Sequence, residues 1–371
     1  MHDVVIIGGG VIGLSLAYEL ARHELRVQVL ERGTPGREAS WAGAGILPPG
    51  NAATAELPYE YLAGLSHDCF AQWSDRLRTE TGIDNGFRRC GGLYLARGEE
   101  ASAELEVISQ YWRHRQVPAE MLTPADVDRL EPLAGFSSAM RPIDAALLLP
   151  SEAQVRNPWH LQALRVACQQ QGVAITSSAT VEDFRGTGSR ISEVLTSRGT
   201  VAGERFCLCG GAWSGTLAAR LGMSLPLKPI RGQIVLLECA RPPLRRIANL
   251  GARYLVPRED GRLLIGSTEE DVGFDKSTTG QGIQELLQFA LELVPALREA
   301  RFQRSWAGLR PATADGMPYL GPMPEWDNLF IAAGHFRSGL TLSAGTAVAM
   351  GALIRGQTPP IDLDAFKVNR K

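Results

Sequence analysis

The chain has 371 residues, a formal charge of −2, 44% hydrophobic residues and 21% charged residues. That length exceeds what one compact core usually holds, so two domains are expected, and the composition is that of a globular protein rather than a disordered or fibrous one. The near-neutral balance gives no reason to expect nucleic acid or an anionic membrane as a partner.

In chain order, an apolar run, Val4-Val5-Ile6-Ile7, leads into Gly8-Gly9-Gly10-Val11-Ile12-Gly13. Residues 14–22 then read as helix, 27–30 as a second apolar strand, and Glu31 closes that strand. Gly8 allows the tight turn out of the strand, Gly10 lets the backbone approach a pyrophosphate, and Gly13 lets the helix pack on the strand. The first N–H groups and positive dipole end of the helix suit the phosphates. Glu31, about twenty residues past the glycines, can accept hydrogen bonds from ribose hydroxyls. Strand, glycines, helix, strand and acid in this order make a dinucleotide-binding unit. The carboxylate argues against a 2′-phosphate, with Arg32 standing beside it. Because a core strand begins at once, no signal peptide is expected.

A glycine- and alanine-rich loop spans 36–50, followed by a helix over 58–81, a strand over 87–96 interrupted at Gly91-Gly92, a helix over 101–115 and turns through 118–150. Asn157 as cap and Pro158 at the first position start a helix over 159–171, which Gly172 ends. Strands over 173–184, 190–197 and 205–208 return to the nucleotide-binding sheet, and strands over 230–238, 254–257 and 263–266 belong to a more antiparallel one. A helix covers 281–293; beyond Trp306 come turns, a strand over 329–332 and an uncharged stretch, 338–354. That stretch approaches the roughly 20 residues of a membrane span, but its glycines, serines and threonines favour a buried helix, so no integral membrane segment is expected. The alternation gives an α/β class: a Rossmann-like domain carrying an inserted α+β domain with a mainly antiparallel sheet. The expected division assigns 1–80, 142–220 and 304–371 to the first and 81–141 and 221–303 to the second.

The six cysteines show neither metal-ligand spacing nor a CxxC pair, so no metal site is expected. Alternation points Cys207 and Cys209 to one face of a strand. Buried thiols in a reducing, cytoplasmic setting follow.

Four further segments can carry chemistry. Small residues crowd Gly36 through Leu47, so a flat, bulky group can lie against backbone there, and Ser40 can hydrogen-bond it. Gly210-Gly211-Ala212-Trp213-Ser214-Gly215 follows an apolar strand and suits either a ligand contact or a structural turn. In Ser305-Trp306-Ala307-Gly308-Leu309-Arg310-Pro311, Arg310 is held between a glycine and a proline in an otherwise apolar context and calls for a partner: a protein carboxylate or a substrate carboxylate. Gly334-His335-Phe336-Arg337-Ser338-Gly339-Leu340-Thr341 joins a strand to the uncharged helix, a place suited to a group that gains negative charge.

Together these segments resemble the D-amino-acid oxidase superfamily of flavoproteins and, within it, the glycine oxidase family of thiamin biosynthesis. The resemblance runs from VVIIGGGVIG through GREASWAGAGIL, GGAWSG, PIRGQ, YLVPR and IGSTEED to WAGLRPATADGMPYLG and AAGHFRSGL. It implies a FAD-binding domain of the glutathione-reductase type, with FAD as cofactor. Gly8, Gly10, Val11, Ile12 and Gly13 match the pyrophosphate contacts, Glu31 and Arg32 the adenosine ribose end, and Val181 the adenine contact. Ala39, Ser40, Ala44, Gly45 and Ile46 match the loop touching phosphate and flavin, Gly210 and Trp213 belong to the cofactor site, and Gly334 with His335 to Thr341 matches the flavin pyrimidine edge. Arg310 matches the carboxylate-binding arginine, Tyr254 the tyrosine that helps it, and Arg337 a second arginine near the substrate.

The implied reaction is oxidative deamination of glycine and other small amino acids, such as sarcosine and small D-amino acids. Hydride leaves the α-carbon for the flavin, the imine hydrolyses to a 2-oxo acid and ammonia, and oxygen takes the electrons to give hydrogen peroxide. This chemistry asks for a bound carboxylate and fixed geometry more than for an acid–base pair. The chain departs from some members at Ala252, where they carry histidine, and at Ile46, where they carry methionine. No cysteine falls in 308–320, where sarcosine oxidases attach their flavin, so non-covalent FAD is expected. A homo-oligomer, a tetramer by resemblance, is expected too. The alternatives are a D-amino-acid dehydrogenase that hands electrons to a quinone, a hydroxy-acid oxidoreductase using the same Arg310 and Tyr254, and a non-catalytic nucleotide-binding protein. Arg310, Tyr254 and Arg337 all falling at substrate positions argues against the last.

Overall fold

The computed structural model describes residues 1–136 and 139–370. Ser137 and Ser138, in the stretch expected to be turn-rich and in the expected piece 81–141, lie outside the described residues, as does Lys371, the end of the expected piece 304–371.

The strand His2–Ile7 is the axis of the first sheet. Its Val-Val-Ile-Ile run is almost wholly buried, as a parallel strand covered on both faces requires. Val27–Leu30 pairs with it on one side and the end of Gly199–Leu208 on the other, both in parallel. Ala174–Thr176 extends the sheet beyond Val27–Leu30, and Leu329–Ala333 lies parallel to Gly199–Leu208 with Tyr319–Pro322 antiparallel on it. The hairpin Val181–Thr187 with Arg190–Thr196 completes the sheet through Gly199–Leu208.

Helices Val11–Ala21, Pro58–Thr81, Asn157–Gln170 and Ser343–Ile354 share one apolar core on this sheet. The uncharged helix Ser343–Ile354 is buried nearly all round because its glycines and alanines allow close approach: a Cβ on Gly351 would stand 3.0 Å from Glu19 Cγ. Among the described residues, no helix is long and apolar enough to cross a membrane.

Among the described residues the second sheet has eight strands, in the order Arg301–Ala312, Lys228–Glu238, Arg262–Gly266, Arg253–Pro257, Ile247–Leu250, Gly92–Ala96, Ala145–Leu149 and Glu120–Leu122. All neighbours are antiparallel except Ile247–Leu250 with Gly92–Ala96. Helix Gly280–Leu293 covers one face, placing Leu286, Phe289, Ala290 and Leu293 against Val235, Leu237 and Ile265. A small sheet of Ile46–Leu47, Ala153–Gln154 and Arg88–Arg89 completes the architecture. It is an α/β fold with a Rossmann-like layer and a mainly antiparallel sheet.

Several elements differ from expectation. The stretch 118–150 holds the strand Glu120–Leu122, the helix Pro124–Leu130 and the strand Ala145–Leu149. The helix is nucleated by a capping box, Thr123 with Asp126, and the last strand by a buried apolar run. Where turns were expected after Trp306, the twelve-residue strand Arg301–Ala312 runs along the sheet edge. Its first four residues are solvent-exposed, which hides the apolar pattern, and an edge tolerates Pro311. Arg156, not Asn157, occupies the cap of the helix Asn157–Gln170, and the Asn157 amide instead donates to Ser40 O at 2.8 Å. The uncharged helix begins at Ser343, preceded by a separate 3₁₀ turn, Phe336–Ser338. Cys207 and Cys209 do share a face, with their sulfurs 3.8 Å apart.

Candidate active site

The carboxyl ends of the parallel strands open into one cavity of about 550 Å³, the place where α/β sheets bind ligands. Gly8, Glu31, Cys209 and Gly334, each just past a strand, form its floor, and residues of the second sheet, including Ile234, Tyr254 and Arg310, face it. Every residue that the resemblance assigns to cofactor or substrate lines this cavity except Gly13. Gly13 is a packing residue: a Cβ there would fall 1.9 Å from Gly8 O, so only glycine lets the first helix sit on the strand end.

At one end the backbone turns sharply. Gly8 has φ +117°, and a Cβ on it would stand 2.3 Å from Cys209 O. Glu31 is buried, and its two carboxylate oxygens accept the N–H groups of Gly9 and Gly33 at 2.8 and 2.9 Å. Ser40 Oγ accepts the Val11 N–H at 2.9 Å, so its own proton is available to an acceptor in the cavity. Arg32 lies 3.4 Å from the Trp213 ring centroid and pairs with Glu38 at 2.7 Å. Phe274 and Lys276, from the loop after Arg262–Gly266, reach Trp213 and Glu38 in turn.

The small-residue loop is ordered by close packing. The short helix Ala39–Ala42 abuts the strand Arg301–Ala312 at Gly308, where a Cβ would come 2.5 Å from Ala42 Cβ. Gly45, with φ +79°, presses on Val155 O, and Trp306 Nε1 donates to Ala42 O at 3.0 Å. Arg258, buried, donates to Ala44 O at 2.7 Å, Val155 O at 3.1 Å and Gln154 Oε1 at 2.5 Å. Burial among these neutral acceptors pulls its pKa down to about 9.

At the other end stands Arg310. Its guanidinium donates to Ser267 Oγ at 2.7 Å, Thr268 O at 3.2 Å and Arg231 O at 3.4 Å, and among the described residues no carboxylate pairs with it. Burial lowers its pKa, and the adjoining Tyr254 hydroxyl opposes that shift. Glycines make the space: a Cβ on Gly232 would meet the guanidinium at 2.2 Å, and one on Gly266 the Tyr254 ring at 2.4 Å. Arg337, by contrast, pairs with Glu269. His335 is buried and bonded through Nε2 to Thr346 Oγ1 at 3.1 Å, and burial pulls its pKa down to about 3, so it is neutral at ordinary pH. The turn after it is tied down by Tyr59 to Ser338 at 2.6 Å and Ser66 to Thr341 O at 2.5 Å.

Gly232, Gly266, Ser267, Thr268 and Gly308 fall within the quoted motifs, but sequence reasoning gave none of them a role of its own. The cross-strand register Gly232 with Gly308 and Tyr254 with Gly266 places the glycines, and the turn after Arg262–Gly266 places Ser267 and Thr268.

The model of the FAD dependent oxidoreductase family matches residues 3–353. A glycine oxidase of Pseudomonas aeruginosa is 37% identical over 367 residues, covering 97% of this chain and 96% of that one. The bifunctional protein ThiO/ThiG of Trichormus variabilis is 33% identical, covering 100% of this chain and 55% of its own length. The crystal structure of glycine oxidase from Geobacillus kaustophilus superposes with a TM-score of 0.94 at 35% identity, covering 100% of this chain and 99% of that one.

The cavity fits a flavin dinucleotide on its own features. A Cβ at Gly8 would meet backbone, and one at Gly10 would crowd Ser40 Oγ at 3.1 Å, so the cradle is open only because glycines form it. A helix start, a buried carboxylate and a small-residue loop line the same space.

Proposed function

The chain belongs to the FAD dependent oxidoreductase family, and from that premise we propose that it oxidises glycine and other small amino acids to 2-oxo acid, ammonia and hydrogen peroxide. FAD is its cofactor, and when bound it supplies the two-electron acceptor for the substrate's α-carbon–hydrogen bond. The observation that carries the substrate class is Arg310: a cation facing the cavity that, among the described residues, has no carboxylate on it. A planar guanidinium of this kind is complementary to a substrate carboxylate.

In this reading Gly8, Gly10, Val11 and Ile12 hold the pyrophosphate, with Gly13 shaping the turn behind them. Glu31 orients the ribose, with its oxygens already fixed by two backbone N–H groups. Arg32, Trp213, Gly210 and Val181 surround the adenosine end. Ala39, Ser40, Ala44, Gly45 and Ile46 on one side, and Gly334 through Thr341 on the other, enclose the ring without a covalent bond. Arg310 and Tyr254 bind the substrate carboxylate, and Arg337 borders the same space. Neutral His335, committed to Thr346, is not a base. The chain's contribution is placement of the α-carbon, not proton transfer. Glycine as substrate, and a place in thiamin thiazole synthesis, follow the glycine oxidase and ThiO/ThiG relatives.

The test is an absorbance spectrum of the purified protein before and after anaerobic glycine. Bands near roughly 370 and 450 nm should bleach, return with air, and release one hydrogen peroxide per glycine. Bleaching without peroxide would move the reading to a dehydrogenase with another electron acceptor. Bands untouched by any small amino acid would overturn the substrate class.

A further inference from the structure

Four consecutive residues after the strand Arg262–Gly266 each address an arginine. Ser267 offers its hydroxyl oxygen and Thr268 its carbonyl to Arg310 at 2.7 and 3.2 Å. Glu269 pairs with Arg337, and Glu270 with Arg231, which also pairs with Asp275 at 2.6 Å. Two of the three arginines thus receive carboxylates, whereas among the described residues Arg310 receives neutral acceptors alone. Arg231 is buried, so its carboxylates serve the fold. Arg310 and Arg337 both line the cavity, and either guanidinium can grip a ligand carboxylate.

We propose that Glu269 is a specificity-determining residue: by compensating Arg337 it restricts the cavity to substrates with a single carboxylate and discriminates against dicarboxylic amino and imino acids. The inference rests on the reading that Arg310 holds the substrate carboxylate. A ligand with a second carboxylate must displace Glu269 from Arg337 and then lie beside a like charge, a repulsive element of the kind that sets specificity. The side chains of Arg337 and Glu269 are 51% and 44% exposed, so the pair contributes little to folding and can be removed without opening the core. Arg337 also lies over the Phe336 ring, 5.4 Å from its centroid, a contact that keeps the guanidinium at the cavity wall once Glu269 is gone.

The experiment compares the wild-type holoenzyme with Glu269→Gln and with the double variant Glu269→Gln/Arg337→Met. Acetate and malonate are titrated against the flavin absorbance, and glycine and iminodiacetate are compared as substrates. In Glu269→Gln the malonate-to-acetate affinity ratio, and with it the iminodiacetate-to-glycine ratio of kcat/KM, should rise about three- to tenfold. The double variant should lose that gain. Glu269→Ser, which has no amide to bond Arg337, should give the same rise. A structural role alone would move both ligands of each pair together, so unchanged ratios overturn the proposal, as does a gain that survives loss of Arg337. Should the wild-type holoenzyme bind neither acetate nor malonate, the carboxylate reading itself falls and takes the inference with it. Acetate binding with an unmoved ratio overturns the inference alone.

Discussion

At the scale of single residues the site is a sorting of charges. Among the described residues, Arg310 has no counter-ion, whereas Arg32 and Arg337 are each given one. Replacing it by Met keeps much of its bulk and removes the fork. Arg310→Met should keep the flavin spectrum and lower kcat/KM for glycine about 10²- to 10⁴-fold, the scale of losing a buried charged pair. The check is steady-state peroxide production, with a simple amine lacking a carboxylate as control; normal glycine kinetics would end the carboxylate assignment. Glu31 is different in kind, because it already accepts two backbone N–H groups. Glu31→Ala removes the proposed ribose acceptor and also frees the turn at Gly9 and Gly33. The dissociation constant for FAD should rise about ten- to a hundredfold in reconstitution of apoprotein followed by flavin fluorescence. Substrate ranking should stay as it was.

At the scale of elements, what could be read from the chain was what local chemistry dictates. The first strand–glycine–helix unit and the helix Pro58–Thr81, with Pro58 at its start and Gly82 in the left-handed region past its end, carry their signals in sequence. The strand Arg301–Ala312 does not, because Arg301, Phe302, Gln303 and Arg304 are exposed on an edge and resemble a polar turn. The site divides in the same way. Gly8, Glu31 and the Ala39–Ile46 loop were legible because their types are tied to ligand contact. The roles of Gly232, Gly308 and Ser267 were not, because strand register brings the two glycines to the cavity and the turn after Arg262–Gly266 brings Ser267 there. Gly308 is the sharpest test of that register. A side chain there must displace Ala42, whose Cβ lies 2.5 Å from where the new Cβ would stand. Gly308→Val should cost about 1–3 kcal/mol of stability and shift the Ala39–Ala42 turn. Purification should then yield protein depleted of FAD; full flavin loading at wild-type stability would refute the close approach.

At the scale of the whole molecule, the cavity takes its floor from one sheet and its facing wall from the other. A two-domain division remains our proposal, and hydrogen bonding places Ala145–Leu149 and Arg301–Ala312 with the antiparallel sheet. Boundaries that respect the sheets therefore fall after Leu149 and after Ala312 rather than at 142 and 304. Just past the first of these sits Glu152, fully buried, with Tyr94 donating to it at 2.6 Å and Gly92 leaving room for its carboxyl. Burial pushes its pKa up from 4.5 to about 7. A carboxyl with a raised folded-state pKa binds its proton more tightly in the native protein than in the unfolded chain. Its favourable contribution is therefore complete below pH 4.5 and is lost as pH rises towards 7. Glu152→Gln cannot titrate. Relative to that variant, the wild-type protein should lose up to about 3 kcal/mol between those limits, the scale of a shift of that size. Denaturant unfolding of both proteins from pH 4.5 to 8 measures the difference directly. A difference that stays flat across the range would mean that Glu152 is ionised in the native protein, with Tyr94 and its surroundings solvating the charge at the junction of the two sheets.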